Sequence, residues 1–367
     1  MTLALLVGGQ PVAAQDAQKA SSTPPRLDWR RLPDLPDKLG VAGPFVGVHN
    51  GALIVAGGAN FPRPVWEHDK LWRDRVYALT ETAGGMSWRE AGVLPRPLAY
   101  GAAVSTPQGI VCMGGNDAQA TFREVFLLRW DPAAAKVTRV NYPALPEPCA
   151  YGQATLVGGV IYLAGGQRGG QLGSAMQNFW SLDLGNRDDP ARFLWRKRTP
   201  CPGGPRAFNI TASQHNGSDE CIYVMSGRRQ TAARVAFLRD VWSFNVDRQT
   251  WSRCADVPRC VMAGTGVGIG KSQLIVLGGA DGSLFDQADA LRDKHPGFPK
   301  EALAYHTPSD SWRSAGPIPQ NQVTTIPVAI GHQIIIASGE VRPRVRSAAV
   351  WSITPTPPSG GGAGEPR

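Results

Sequence analysis

The stretch LIVAGG (Leu53–Gly58) decides the fold, because five further versions of it follow along the chain. The other copies are IVCMGG (Ile110–Gly115), IYLAGG (Ile161–Gly166), IYVMSG (Ile222–Gly227), LIVLGG (Leu274–Gly279) and IIIASG (Ile334–Gly339). Their fifth residues stand at 57, 114, 165, 226, 278 and 338, so successive copies are 57, 51, 61, 52 and 60 residues apart. Each copy is an aliphatic run that ends in Gly-Gly or Ser-Gly, which is typical of a buried strand followed by a tight turn.

A period near 50 residues with a strand and a glycine pair at its centre predicts a kelch-type β-propeller. A small-residue strand precedes each copy, and an aromatic-rich strand and then a fourth strand, usually with a Trp, follow it. A single four-stranded blade cannot bury both of its faces, so the six blades must pack in a ring. The sequence therefore predicts an all-β, six-bladed propeller, in which the Trp residues serve inter-blade packing.

The sixth copy lacks its fourth strand at the C-terminal end of the chain. The missing pattern, Trp followed by a hydrophobic residue and Pro, stands instead at Asp28–Pro36 as DWRRLPDLP. We expect this N-terminal segment to complete the last blade and close the ring, which leaves no open sheet edge.

The termini are expected to lie outside the propeller, which we assign to residues 27–354. Residues 1–26 are interpreted as a truncated signal segment and linker, because an apolar stretch precedes Val12-Ala13-Ala14, small residues typical of a cleavage site. Residues 355–367 form a Pro/Gly-rich tail that we expect to be disordered. This pattern predicts a periplasmic or secreted protein, and no apolar run approaches the roughly 20 residues of a membrane span.

The composition favours an anionic partner. The 367-residue chain carries a net charge of +9, but its basic residues are scattered and no nucleic-acid motif is present. We therefore expect a solvated basic surface and no nucleic-acid partner. The six cysteines show no CxxC spacing, which argues against a metal site. Cys112 and Cys221 are predicted core residues, and Cys254 and Cys260 are close enough in sequence to form a bridge.

The loop after the sixth glycine pair differs from the others. It reads Glu340-Val341-Arg342-Pro343-Arg344-Val345-Arg346, with one acid and three arginines. A propeller acts through the loops at the mouth of its channel, so these residues are candidates for chemistry. The carboxylate can serve as a base, and an arginine can hold a substrate carboxylate in a bidentate grip. A surface salt-bridge loop is the alternative that the spacing leaves open.

The pattern G-E-x-[KR]-P-x-x-R after a strand, within a six-bladed kelch ring, resembles the N-acetylneuraminate epimerase (sialic acid mutarotase) family. The resemblance covers Leu27 to Thr354 and includes GVAG at 40–43 leading to LIVAGGANF at 53–61, GPR at 204–206 and MAG at 262–264. In better-known members the GE…R blade lies mid-chain and precedes the GVAG blade. Here the order is reversed, so the chain resembles a cyclically permuted branch of the family.

This resemblance implies an isomerase that interconverts the α and β anomers of N-acetylneuraminate. By match to the family motif, Glu340 would accept a proton and Arg346 would bind or orient the sugar acid. No cofactor is implied, and the residue that acts as the acid is not identified. Further candidates for substrate contacts are Asn60, Arg206 and Arg228.

Two other features bear on the site. The insertion 280–300 contains FDQADALR at 285–292, which predicts a short helix over the channel mouth and thus a lid. We expect His49, His295 and His306 to be loop or surface residues.

Two alternatives to an epimerase stay open. A kelch ring can be a non-catalytic module that binds a glycan or a protein partner, because fold does not determine function. A copper radical oxidase would need a Tyr/His ligand set with a Cys–Tyr crosslink, for which the sequence offers no convincing set. The identity of the sugar is also open.

Overall fold

Each glycine-pair copy forms the second strand of a four-stranded antiparallel sheet, and six such sheets are present in the computed structural model, which describes residues 22–356. The predicted six-bladed propeller is confirmed. We number the blades by the order of their glycine pairs. Most of the predicted signal segment and of the predicted tail lies outside the described residues.

The first strand of each blade lines the central channel, and the fourth lies at the rim. Blade 1 contains Phe45–His49, Ala52–Ala56, Arg75–Thr82 and Gly85–Val93. Blade 2 contains Ala102–Thr106, Gly109–Met113, Val125–Asp131 and Lys136–Tyr142. Blade 3 contains Gln153–Val157, Val160–Ala164, Phe179–Asp183 and Arg196–Lys197.

The other three blades follow the same order. Blade 4 contains Ile210–His215, Glu220–Met225, Val241–Asn245 and Thr250–Cys254. Blade 5 contains Thr265–Ile269, Gln273–Leu277, Glu301–His306 and Ser311–Pro317. Blade 6 contains Val328–Ile330, Gln333–Ala337, Val350–Thr356 and the N-terminal Arg26–Leu32.

The N-terminal strand closes the ring as predicted. Arg26–Leu32 pairs antiparallel with Val350–Thr356, from Arg26 opposite Thr356 to Leu32 opposite Val350. The last blade is therefore assembled from both ends of the chain.

Short elements connect the strands at the channel mouth and at the rim. Three small hairpins pair Ala59–Asn60 with Leu71–Trp72, Arg228–Gln230 with Val235–Phe237, and Glu340–Arg342 with Val345–Arg346. The helical segments are Leu172–Ser174, Leu184–Asn186, Phe285–Gln287, Ala288–Leu291, Arg292–Lys294 and Thr307–Ser309. Across residues 22–356 none of the helices has the length and apolarity that a membrane crossing requires.

The backbone explains why each copy ends in Gly-Gly or Ser-Gly. The first residue of the pair is left-handed, and serine takes this position twice, with φ of 57° at Ser226 and 59° at Ser338. The second residue has φ from 92° to 131° and is always glycine, because side chains rarely adopt that region. The two serine hydroxyls accept hydrogen bonds from the next blade, from Val261 N at 2.9 Å and Val41 N at 2.8 Å.

The rim tryptophans join neighbouring blades, as predicted. Four indole N–H groups donate to a backbone carbonyl of the preceding blade or of the segment that leads out of it. The pairs are Trp88 to Pro33 at 2.8 Å, Trp195 to Pro143 at 2.9 Å, Trp251 to Thr199 at 2.9 Å and Trp312 to Ala255 at 3.0 Å. Each bond satisfies the polar atom of a large apolar side chain at a blade junction.

A closed ring of six backbone hydrogen bonds crosses the central channel. One residue of each blade donates its N–H to the carbonyl of the equivalent residue one blade away, at 2.6–2.8 Å. The six residues are Gly43, Tyr100, Tyr151, Phe208, Ala263 and Thr324, all left-handed with φ between 56° and 66°. Such a conformation is strained for every residue except glycine. We call this set the floor ring, because five of its members line the bottom of the cavity described below.

The cysteines are all free thiols. Cys112 and Cys221 are buried in the core, as predicted. The suggested bridge between Cys254 and Cys260 is wrong, because the Cys260 sulfur lies instead 3.3 Å from the Ser226 hydroxyl, where it forms part of a blade junction.

Candidate active site

A cavity of about 600 Å³ lies above the floor ring, at the mouth of the channel. Its wall is largely aromatic, and its charged lining residues are four cations and two carboxylates: Lys70, Arg228, Arg344, Arg346, Asp281 and Glu340. A volume of this size is typical of small-molecule sites, and the excess of positive charge favours an anionic ligand. Between residues 22 and 356 no three His, Cys, Asp or Glu side chains cluster in a way that could hold a metal ion.

The hairpin after the sixth glycine pair places Glu340 beside Arg346. The two residues are directly opposite in the hairpin register, so their side chains share one face. Glu340 Oε1 lies 3.1 Å from Arg346 Nη1 and accepts a hydrogen bond from the Arg344 backbone N–H at 3.0 Å. Arg344 takes φ of 66° in the turn, which folds its amide back toward the carboxylate.

The Arg346 guanidinium is held on several sides. Its side chain is 3% exposed, against 20% for Glu340. Nε donates to the Ala59 carbonyl at 3.3 Å, the guanidinium lies over the Phe61 ring, and the Tyr100 phenol is near enough to affect the pKa of the guanidinium. Burial acts to lower the pKa of Arg346, but Glu340 and Tyr100 outweigh it and raise that pKa overall. Nη1 lacks hydrogen-bond geometry toward Glu340 and so keeps a free donor.

Tyr100 brings an acidic proton to the same place. Burial raises the pKa of the phenol, although Arg346 acts in the opposite direction, so the hydroxyl is protonated at neutral pH. Tyr100 belongs to the floor ring and stacks on Tyr151 with ring centroids 4.7 Å apart. Reasoning from sequence missed this residue, because its position follows from the ring geometry and no motif marks it.

Arg228 reaches the cavity from blade 4. Its guanidinium lies between two aromatic rings, 4.4 Å from the centroid of Phe208 and 5.1 Å from that of Phe285. Burial lowers the pKa of Arg228, while Glu340 acts to raise it. The structure thus brings three predicted site residues, Glu340, Arg346 and Arg228, to one cavity.

The structure does not bring Asn60 and Arg206 to that cavity. The Asn60 amide donates to the Gly40 carbonyl at 2.9 Å and accepts from Arg73 at 2.8 Å. Arg206 is 1% exposed and forms a bidentate pair with Asp240 at 3.1 and 2.6 Å. Both side chains hold the propeller together at blade junctions.

The predicted helix over the mouth is present, as Ala288–Leu291 flanked by the turns Phe285–Gln287 and Arg292–Lys294. We call residues 281–299 the lid, because many of them line the cavity from above. Arg342 of the Glu340 hairpin pairs with Asp293 Oδ1 at 2.8 Å and also donates to the Asp293 carbonyl. This contact ties the lid to the loop that carries Glu340.

The expectation of loop or surface positions is met by His295, which lies in a loop, and is wrong for His49 and His306, which end strands. All three side chains are buried. His295 lines the cavity, and its Nδ1 accepts a hydrogen bond from the Gly297 N–H at 3.0 Å. The neutral ring therefore carries its proton on Nε2. Burial, with a smaller effect of Arg342, lowers the pKa of His295, so the neutral form predominates at neutral pH.

Together the fold and the site define a six-bladed β-propeller with a cavity of small-molecule size, which is lined by a carboxylate, a guanidinium and a phenol. Residues 11–137 and 142–294 match the N-acetylneuraminate epimerase family, and the chain belongs to that family. The matched ranges end before Glu340, so the Glu340–Arg346 hairpin lies outside them.

Individual relatives are similar over part of their length. An N-acetylneuraminate epimerase of Brucella suis is 42% identical over 127 residues, which cover 30% of this chain and 32% of that protein. One of Yersinia enterocolitica is 26% identical over 237 residues, covering 58% and 57%. The chain thus spans from about a third to under six-tenths of these relatives. The solved structure of YjhT matches the fold, with a TM-score of 0.61, 14% identity, and coverage of 88% of this chain and 95% of that one.

Proposed function

We propose that this protein is a sialic acid mutarotase, which interconverts the α and β anomers of N-acetylneuraminate by opening and reclosing the sugar ring. The observation that carries the proposal is the Glu340–Arg346 pair at the cavity mouth, with a 3.1 Å contact, in a chain that belongs to the epimerase family. We also propose export to the periplasm or the medium, from the N-terminal sequence.

Glu340 is the base in this proposal. Its Oε1 is occupied by Arg346 and by the Arg344 amide, whereas no donor among residues 22–356 bonds to Oε2. Oε2 is thus free to take the proton of the anomeric hydroxyl. The new carbonyl forms as the bond from the anomeric carbon to the ring oxygen breaks, and that oxygen receives a proton from an acid. The open-chain ketone can rotate and reclose on its other face.

Tyr100 is the acid that the geometry favours. Tyr100 lines the same cavity as Glu340 and Arg346, and its phenol is protonated at neutral pH, so its O–H is available to donate. The positive charge of Arg346 lies beside the base and also acts on the pKa of the phenol, so it can stabilise negative charge that develops in this part of the cavity. No step requires a cofactor.

The aromatic floor suits a sugar ring. Tyr151 and Phe208 stack at 4.5 Å and face the cavity beside Tyr100. Such rings present flat apolar surface to the C–H faces of a pyranose, while the charged residues stand at one side.

The test is the rate of anomerisation by NMR. A sialidase releases α-N-acetylneuraminate in the presence and absence of the protein, and the decay of the α signal is followed. We expect the protein to accelerate the decay in proportion to its concentration. An unchanged rate together with tight binding of the sugar would refute the proposal and favour a non-catalytic glycan-binding propeller.

A further inference from the structure

The Arg228 side chain has no hydrogen-bond acceptor in the described part of the chain, although it is partly buried in the cavity wall. Only its backbone is bonded, to Ala207. Its Nε is shielded from solvent and has no partner, and its guanidinium is covered by the rings of Phe208 and Phe285. Five N–H donors are therefore fixed at the cavity without an acceptor from the protein.

The other deeply placed arginines differ in this respect. Arg206 pairs with Asp240 at 2.6 Å, Arg346 with Glu340 at 3.1 Å, and Arg259 lies 3.8 Å from Glu301. Each of the three also donates to a backbone carbonyl. A guanidinium that is partly removed from water without such a partner costs free energy, which an anionic ligand would recover.

We propose that Arg228 is the residue that binds the substrate carboxylate and so determines specificity for an acidic sugar. The inference rests on the proposed function for the identity of the sugar. Contacts with two aromatic rings restrict the Arg228 guanidinium, and its planar fork matches the two oxygens of a carboxylate. Arg346 is less suited to this role, because its side chain is only 3% exposed and its charge is already paired with Glu340.

The placement agrees with the chemistry of the reaction. In a 2-keto sugar acid the carboxylate and the anomeric hydroxyl are attached to the same carbon. A base and a carboxylate-binding group must then face that carbon together. Glu340 from blade 6 and Arg228 from blade 4 line one cavity and are close enough to interact electrostatically. Phe285 belongs to the lid, so the lid ring that covers Arg228 would also border the bound carboxylate.

The experiment compares two ligands and three proteins by calorimetric titration of the full chain. The ligands are N-acetylneuraminate and its methyl ester, which keeps the ring but loses the charge. The variants are Arg228→Gln and, as a matched control, Arg229→Gln. Arg229 is the next residue of the same strand, and its guanidinium donates to the Gly203 carbonyl at 2.9 Å. We expect Arg228→Gln to weaken binding of the acid about tenfold to a hundredfold, with little effect on the ester.

Arg229→Gln should keep the preference of the wild type for the acid. The Tm of unliganded Arg228→Gln should not fall, because the substitution removes a charge that lacks a counter-ion. If Arg228→Gln does not fold, Arg228→Lys provides the test. Lysine keeps the positive charge but lacks the planar guanidinium fork, so this variant should still bind the acid more weakly than the wild type does.

The outcomes separate this inference from the proposed function. An equal preference for acid over ester in wild type and Arg228→Gln overturns the inference, whatever the catalysis. An Arg228-dependent preference without acceleration of anomerisation refutes the mutarotase and leaves the inference standing. A wild-type protein that binds neither ligand overturns both.

Discussion

Replacing Glu340 by Gln separates the chemical role of this carboxylate from its structural role. In the wild type the Arg344 amide donates to the Glu340 carboxylate at 3.0 Å. Gln keeps an oxygen that can accept this hydrogen bond, so the hairpin should keep its shape. It removes the base that we propose, and general-base catalysis contributes about 10²–10⁴-fold to a rate. It also leaves the Arg346 guanidinium, 3% exposed, without its counter-ion, which we expect to cost about 1–3 kcal/mol in the free energy of unfolding.

The assay is the NMR anomerisation rate at equal protein concentration, with urea unfolding to measure stability and circular dichroism to verify the fold. Glu301→Gln is the matched control. It removes a carboxylate 3.8 Å from Arg259 in blade 5, outside the cavity, and should leave the acceleration unchanged. A folded Glu340→Gln protein that accelerates anomerisation as the wild type does would remove Glu340 from the mechanism.

Three more predictions address the acid, the lid and the pH dependence. Tyr100→Phe should keep the stacking on Tyr151 but lower the anomerisation rate at least tenfold. An unchanged rate would show that another group, such as His295, donates the proton. Arg342→Gln should break the contact with Asp293 and speed amide hydrogen exchange across residues 281–299. The free energy of unfolding should change by no more than about 1 kcal/mol, because the pair is partly exposed. Unchanged exchange would mean that the pair does not hold the lid. Burial lowers the pKa of His295 from its ordinary value of 6.5, so the unfolded chain takes up the proton first as the pH falls. The free energy of unfolding should therefore decrease as the pH drops through 6.5, and His295→Gln should reduce that slope in urea titrations, whereas an identical slope would contradict the assignment.

The repeat made the propeller predictable because each blade carries the same local requirement. A φ near 100° admits only glycine, and the rim Trp must reach the preceding blade, so both leave a period in the sequence. Ring closure was predictable for the same reason, since the strand missing after the sixth copy stands at Trp29.

The site was only partly predictable. Glu340 and Arg346 share a motif within one hairpin, so their neighbourhood follows from local sequence. Tyr100 and His295 come from other blades and meet the pair only through the closure of the ring. The burial of His295 depends on how the lid folds over the mouth, and the partners that occupy Asn60 and Arg206 are likewise set by inter-blade packing.

The floor ring has a consequence for the path of a ligand along the central channel. All six members line a small pocket of about 40 Å³ beneath the ring, and all but Gly43 also line the cavity above it. A ligand that enters the upper cavity from the lid side therefore meets the side chains of the floor ring. In the proposed mutarotation the substrate and the product have the same atoms and the same charge, so both can pass through the opening of this cavity. The open-chain intermediate of the proposed reaction would stay in the cavity above the floor ring until it recloses.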